Sequence, residues 1–178
     1  MSSFIRGYLR WQERIHRVEK TIAALLMLFI SAVVLAGVFS RYLLKEPFYG
    51  TDRLATYLFV ILSYWGLQMA SGYYEHITVG VVRQWLSPSQ QALLSSVASL
   101  ISAAFLSFLG WGGYKFVRLL YKNNEIDLVL QIPLWVVYGF FVLAVSLSAV
   151  RYAIGSYLWI EVWRGRVLPE AFQRKAVL

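Results

Sequence analysis

The stretch RYLLKEPFYGTDRLATYLFVILSYWGLQMASGYYEHITVG, residues 41–80, decides the fold, because it sets one apolar run between two polar elbows. From Leu54 to Tyr74 it carries no charged side chain. About 20 helical residues at roughly 1.5 Å each match the ~30 Å hydrocarbon layer of a bilayer, so the segment reads as a membrane span. Pro47 and Gly50 end the preceding helix and permit a turn. Thr51 is placed to cap the span, and Asp52 then falls in its first turn, where a carboxylate complements the helix dipole. Asp52 is equally placed to pair with Arg41 or Arg53 at the membrane surface and so hold two spans together; the residues leave both readings open. Gln68, inside the run, calls for an interhelical hydrogen bond. His76, next to Glu75 at the run's edge, reads as a surface group rather than a proton carrier.

The whole chain has the composition this span demands. Of its 178 residues 59% are hydrophobic, more than the roughly half usual in soluble domains. Cysteine is absent, which excludes disulfides, thiolate metal sites and cysteine nucleophiles. A net charge of +8 raises nucleic acid as a partner, but most cations sit just outside apolar runs, where anionic lipid at the cytoplasmic face is the better match and nucleic acid is not expected.

Upstream, residues 4–20 place Phe4, Tyr8, Trp11, Ile15 and Val18 on one helical face and Arg6, Arg10, Arg14 and Arg17 on another. The pattern fits an amphipathic helix on the membrane surface, a reading preferred to the alternative of a helix docked on a partner protein. The first span covers about 21–44, and its Ala32, Ala36 and Ser40 repeat every four residues beside Gly37, a small-residue strip that admits a helix neighbour. The second span covers about 54–74. Downstream, Ser87 and Pro88 mark a turn, and a third span over about 92–121 carries Ser95, Ser99, Ala103 and Ser107 at the same spacing. Those serines can return their hydroxyls to the backbone four residues earlier, so packing is preferred to a polar pathway. Lys115, Arg118 and Lys122 form a basic stripe as the helix emerges, followed by the loop residues Glu125 and Asp127. Pro133 suits the first turn of a fourth span, about 132–160, and Arg151 falls near its far interface, where it is expected to snorkel to water. Residues 161–178 form a tail.

The expected fold is therefore an all-α membrane protein of one domain: an amphipathic helix, then four transmembrane helices. An even number puts both termini on one side. That side carries Arg6, Arg10, Arg14, Arg17, Lys20, Arg83, Arg151, Arg164, Arg166, Arg174 and Lys175, against Arg41, Lys45, Arg53, Lys115, Arg118 and Lys122 opposite, which places the termini in the cytoplasm. Residues 45–53 and 122–131 then face outward, and Arg41, Lys45, Asp52, Arg53, Lys122, Glu125 and Asp127 are the candidates for meeting an external partner. Enzyme chemistry finds no footing: there is no glycine-rich phosphate loop, no HExxH and no paired intramembrane carboxylates. A haem-bearing anchor of a respiratory complex is the alternative for a four-span chain, but His16 and His76 cannot pair across the membrane core, and no cofactor is expected.

The order Arg41-Tyr42, Pro47-Phe48, Asp52, a second span centred on Gly66, and His76-Ile77 resembles the small, DctQ-like membrane subunit of TRAP transporters, the tripartite ATP-independent periplasmic carriers. The resemblance implies a bacterial inner-membrane location and two partners: a large multi-span subunit holding substrate and sodium sites, and a periplasmic binding protein that delivers an organic acid. The small subunit would be non-catalytic and brace the large one.

Overall fold

No proline interrupts residues 3–39, and they form a single helix, α1 (Ser3–Phe39). The structure is a computed structural model and describes residues 3–46, 48–71 and 86–165, with 3–14 and 88 by backbone alone. The separation of a surface helix over 4–20 from a span over 21–44 is thus not seen as a break. The 37 residues of α1 extend about 55 Å, well beyond the ~30 Å hydrocarbon layer. At its end the helix widens into a π-type turn over Ser40–Leu44, and Lys45, in the left-handed conformation at φ 59°, closes it.

Three further helices follow: α2 (Thr51–Ala70), α3 (Pro88–Lys122) and α4 (Leu134–Trp163). The cap of α2 is Gly50 at φ 84°, not Thr51, whose hydroxyl donates to the Phe48 carbonyl at 3.0 Å instead. Only glycine adopts that backbone freely, which is why the turn selects it. A reciprocal box opens α3: the Gln90 amide donates to the Ser87 hydroxyl and the Ser87 amide to the Gln90 side chain, with Pro88 in the first turn. Pro133 precedes α4 directly.

The segments Ile15–Leu44, Ser89–Lys122 and Leu134–Trp163 are long and apolar enough to cross a membrane, which makes this a multi-pass membrane protein without strands among the described residues. The shorter α2 has 20 residues, about 30 Å, diluted by Asp52, Arg53 and Gln68. The far end of the expected 54–74 span, His76 and Arg83 lie outside the described residues, as do Pro47 and the tail beyond 165.

Each helix packs chiefly against the next in the order α1, α2, α4, α3, and the α3–α4 seam is the most extensive. Along that seam Ser95, Ser99, Ala103 and Gly110 are buried, whereas Ser107 lies at the rim. The hydroxyls of Ser99 and Ser107 each donate to the carbonyl four residues back at 2.8 Å, as expected of packed serines. Ser96 and Ser156 bind across the seam, each hydroxyl donating to the other's carbonyl at 3.1 and 3.0 Å. The strip on α1 divides. Gly37 and Ser40 are buried near the start of α2, while Ala32 and Ala36 are exposed. Four residues turn a helix by about 400°, so such a strip drifts about 40° per step and does not stay on one seam.

Gly113 lets α3 and α4 meet: a Cβ there would stand 2.9 Å from Phe141 Cε1 and 3.1 Å from Val142 Cγ2. Gly113→Leu is expected to cost about 1–3 kcal/mol through overpacking. Gly112→Leu is the comparison, since a Cβ there meets nothing within 4 Å. Unfolding midpoints of the purified chain in detergent check it.

Candidate functional site

Two polar nodes join the helices, one near each end. In the half of the bundle where α1 starts and α2 and α4 end, Glu19 of α1, Gln68 of α2 and Arg151 of α4 meet. Arg151 Nη2 donates to Glu19 Oε1 at 2.5 Å, and its Nη1 to the Gln68 carbonyl at 3.1 Å. The Gln68 amide donates to the same Glu19 oxygen at 3.1 Å, and His16 Nδ1 stands 3.7 Å from Glu19 Oε2. The side chains of Arg151 and Glu19 are only 13% and 7% exposed. Arg151 therefore does not snorkel as expected: an internal carboxylate and a carbonyl from the last turn of α2 satisfy its guanidinium. A cation beside the carbonyl end of a helix also complements the dipole of α2. The hydrogen bond expected of Gln68 goes to Glu19, although Gln68 Oε1, with Trp65 Nε1 and Ser148 Oγ, has no hydrogen-bond partner in the α2–α4 region.

Sequence reasoning missed this node, although a signal was present. Ala144, Ser148 and Gly155 follow at helical spacing on α4 and are small or buried, and Arg151 falls between them on the same face. That places it on a packed face rather than a lipid-facing one.

At the opposite end the loop between α3 and α4 folds around Asp127. Its carboxylate accepts from the Tyr57 hydroxyl at 2.5 Å, from the Val129 and Leu130 amides at 3.0 and 2.8 Å, and pairs with Arg53 Nε at 3.4 Å. Ile126 and Pro133 bridge across the loop's base, and the Leu134 amide donates to the Glu125 carbonyl. The hydrogen bonds from Tyr57 and the two amides hold the Asp127 carboxyl below the usual carboxylate range. Gly50 presses on this loop, since a Cβ there would lie 2.9 Å from Leu130 Cδ2. The first elbow and the second loop thus form one surface.

Of the partner-facing candidates, Asp127 is buried and engaged within the chain, while Arg41, Lys45, Asp52, Lys122 and Glu125 are exposed. Asp52 pairs with Arg41 at 2.8 Å, both side chains being more than half exposed, and Arg53 turns instead to Asp127. An exposed pair contributes about 0–1 kcal/mol, so Arg41–Asp52 aligns the elbow more than it stabilises it. His76 lies outside the described residues. Among the described residues no three His, Asp or Glu side chains gather as a metal site requires.

Long apolar helices whose internal polar groups join one helix to another define a helical membrane subunit. The chain belongs to the family of the tripartite ATP-independent periplasmic transporters, DctQ component, whose model matches residues 30–162. The ectoine TRAP transporter small permease protein TeaB of Halomonas elongata is 24% identical over 138 residues, covering 78% of this chain and 72% of that relative. The chain is accordingly a TRAP transporter small subunit, a transport component, and membership implies a large membrane subunit and a periplasmic binding protein as partners. The family match contains Gln68, Arg151 and Asp127 but begins after Glu19.

Proposed function

We propose that the chain is the non-catalytic small permease subunit of a sodium-coupled TRAP transporter in the bacterial inner membrane. In this reading it crosses the membrane four times, keeps both termini in the cytoplasm, braces the large subunit, and helps form the landing surface for a binding protein that delivers an organic acid. The observation that carries the docking role is the joined surface of residues 45–53 and 123–133, held by Gly50 against Leu130 and by Arg53 with Asp127. That surface leaves Lys45, Asp52 and Glu125 exposed in mixed charge. The distribution of basic residues supports its outward orientation. The Halomonas relative is named for ectoine. The substrate of this chain's own transporter is not carried over from that name, because in the proposed division of labour the pocket belongs to the large subunit.

Charge reversal at Lys45 or Asp52 is expected to slow uptake several-fold at limiting binding protein, leave saturating uptake nearly unchanged, and leave the amount of subunit in the membrane intact. Equal loss at both concentrations would remove the docking role. Deletion of the chain should abolish uptake, and a tagged copy should bring down a much larger membrane protein. Solute accumulation by proteoliposomes containing this chain alone would overturn the scaffold reading.

A further inference from the structure

Three cations run along one side of α3 near the end that carries the 123–133 loop. Lys115, Arg118 and Lys122 follow at spacings of three and four residues, which puts them on one helix face. All three are exposed, and among the described residues none joins an ion pair, in contrast to Arg41, Arg53, Arg151 and Arg164. Lys115 lies over the Trp111 ring, 5.3 Å from its centroid, a cation–π contact that holds the ammonium against the helix side.

Aromatic contacts fix the depth of the stripe. Tyr121 meets Trp135 edge-on at 5.7 Å and Phe116 meets Tyr138 at 5.2 Å, so Lys115 to Lys122 stand level with the first turns of α4. Trp and Tyr at a helix end mark the boundary of the hydrocarbon. Seven residues of helix rise about 10 Å, comparable with the roughly 5–8 Å of headgroup layer on each side of a bilayer. Toward the membrane centre the same face of α3 continues as Phe108, Leu100 and Val97, which are 73%, 59% and 47% exposed. Cations at headgroup depth above an unbroken apolar face match a molecule with an anionic head and hydrocarbon chains. An acidic patch on a soluble protein would meet Lys122 well before Lys115, which lies about two turns deeper.

We propose that the face formed by Trp111, Lys115, Arg118 and Lys122 holds an acidic phospholipid, its phosphate among the three cations and its acyl chains along Phe108 and Leu100. The placement does not depend on which leaflet this end occupies, nor on the docking role.

The test is native mass spectrometry of the full chain released from micelles containing equal phosphatidylglycerol and phosphatidylcholine. Phosphatidylglycerol adducts should dominate several-fold for the unaltered chain. K115Q/R118Q/K122Q should abolish that preference, whereas R17Q/K20Q/R174Q, which removes equal charge elsewhere, should keep it. R118Q and K122Q alone should each weaken it, which covers the case of a triple variant that fails to fold. No preference in the unaltered chain, an undiminished preference in the stripe variants, or equal loss in both triple variants would overturn the proposal.

Discussion

Arg151→Ala is expected to destabilise the subunit by about 3–5 kcal/mol, because it leaves the buried Glu19 carboxylate without its cation. Glu19 would keep only the Gln68 amide and the neighbouring His16, and the Gln68 carbonyl would lose its guanidinium. With both charged side chains well below a third exposed, little solvent screening softens the loss. The paired variant Glu19→Gln with Arg151→Met should recover most of the stability, since removing both charges leaves neither one buried alone. Unfolding midpoints in a denaturing-detergent titration compare the three proteins. A single variant as stable as the parent would mean that Glu19 reaches water, and a double variant as unstable as the single would mean that packing, not charge, carries the node.

Asp127→Ala is expected to release the α3–α4 loop. The substitution removes at once the acceptor for the Tyr57 hydroxyl, for two backbone amides and for Arg53. Unmet amides are costly, and exchange of the Val129 and Leu130 amide protons should speed by roughly tenfold or more while the helix cores stay protected. Uptake at limiting binding protein should fall further than for charge reversal at exposed Asp52. Because the Asp127 carboxyl is held below its ordinary value, its contribution is complete at neutral pH and persists down to the usual carboxylate range near about 3.9. It disappears only as pH falls through the lowered value. Loop amides that loosen already between pH 6 and 5 would point to a different group.

What could be read from the sequence was local. Pro133, the Ser87–Pro88 turn and the serine spacing place α3 and α4, since each acts through its own backbone or its neighbours three and four residues away. Asp52 could be narrowed to a first-turn carboxylate or a pairing partner, and it is both: it lies in the first turn of α2 and pairs with Arg41. The Glu19–Arg151 pair joins residues 132 positions apart, and nothing local announces it. The rise from Pro133 speaks only to the depth expected of Arg151 and says nothing of its direction around the helix. The family model starts at residue 30, so it does not include Glu19 either.

Among the described residues the succession α1, α2, α4, α3 is a strip rather than a closed ring. Such a strip can fray from either margin without disturbing its middle, as a stack of repeats does. α3 is fastened along its length to α4, while α1 is stitched mainly to α2. The Arg151 guanidinium reaches past α2 to grip Glu19 of α1, tying that looser margin to the central helix. A pulling force on the start of α1 should therefore meet an abrupt resistance at Glu19 before it loads the elbow contacts of Gly37 and Arg41 with α2.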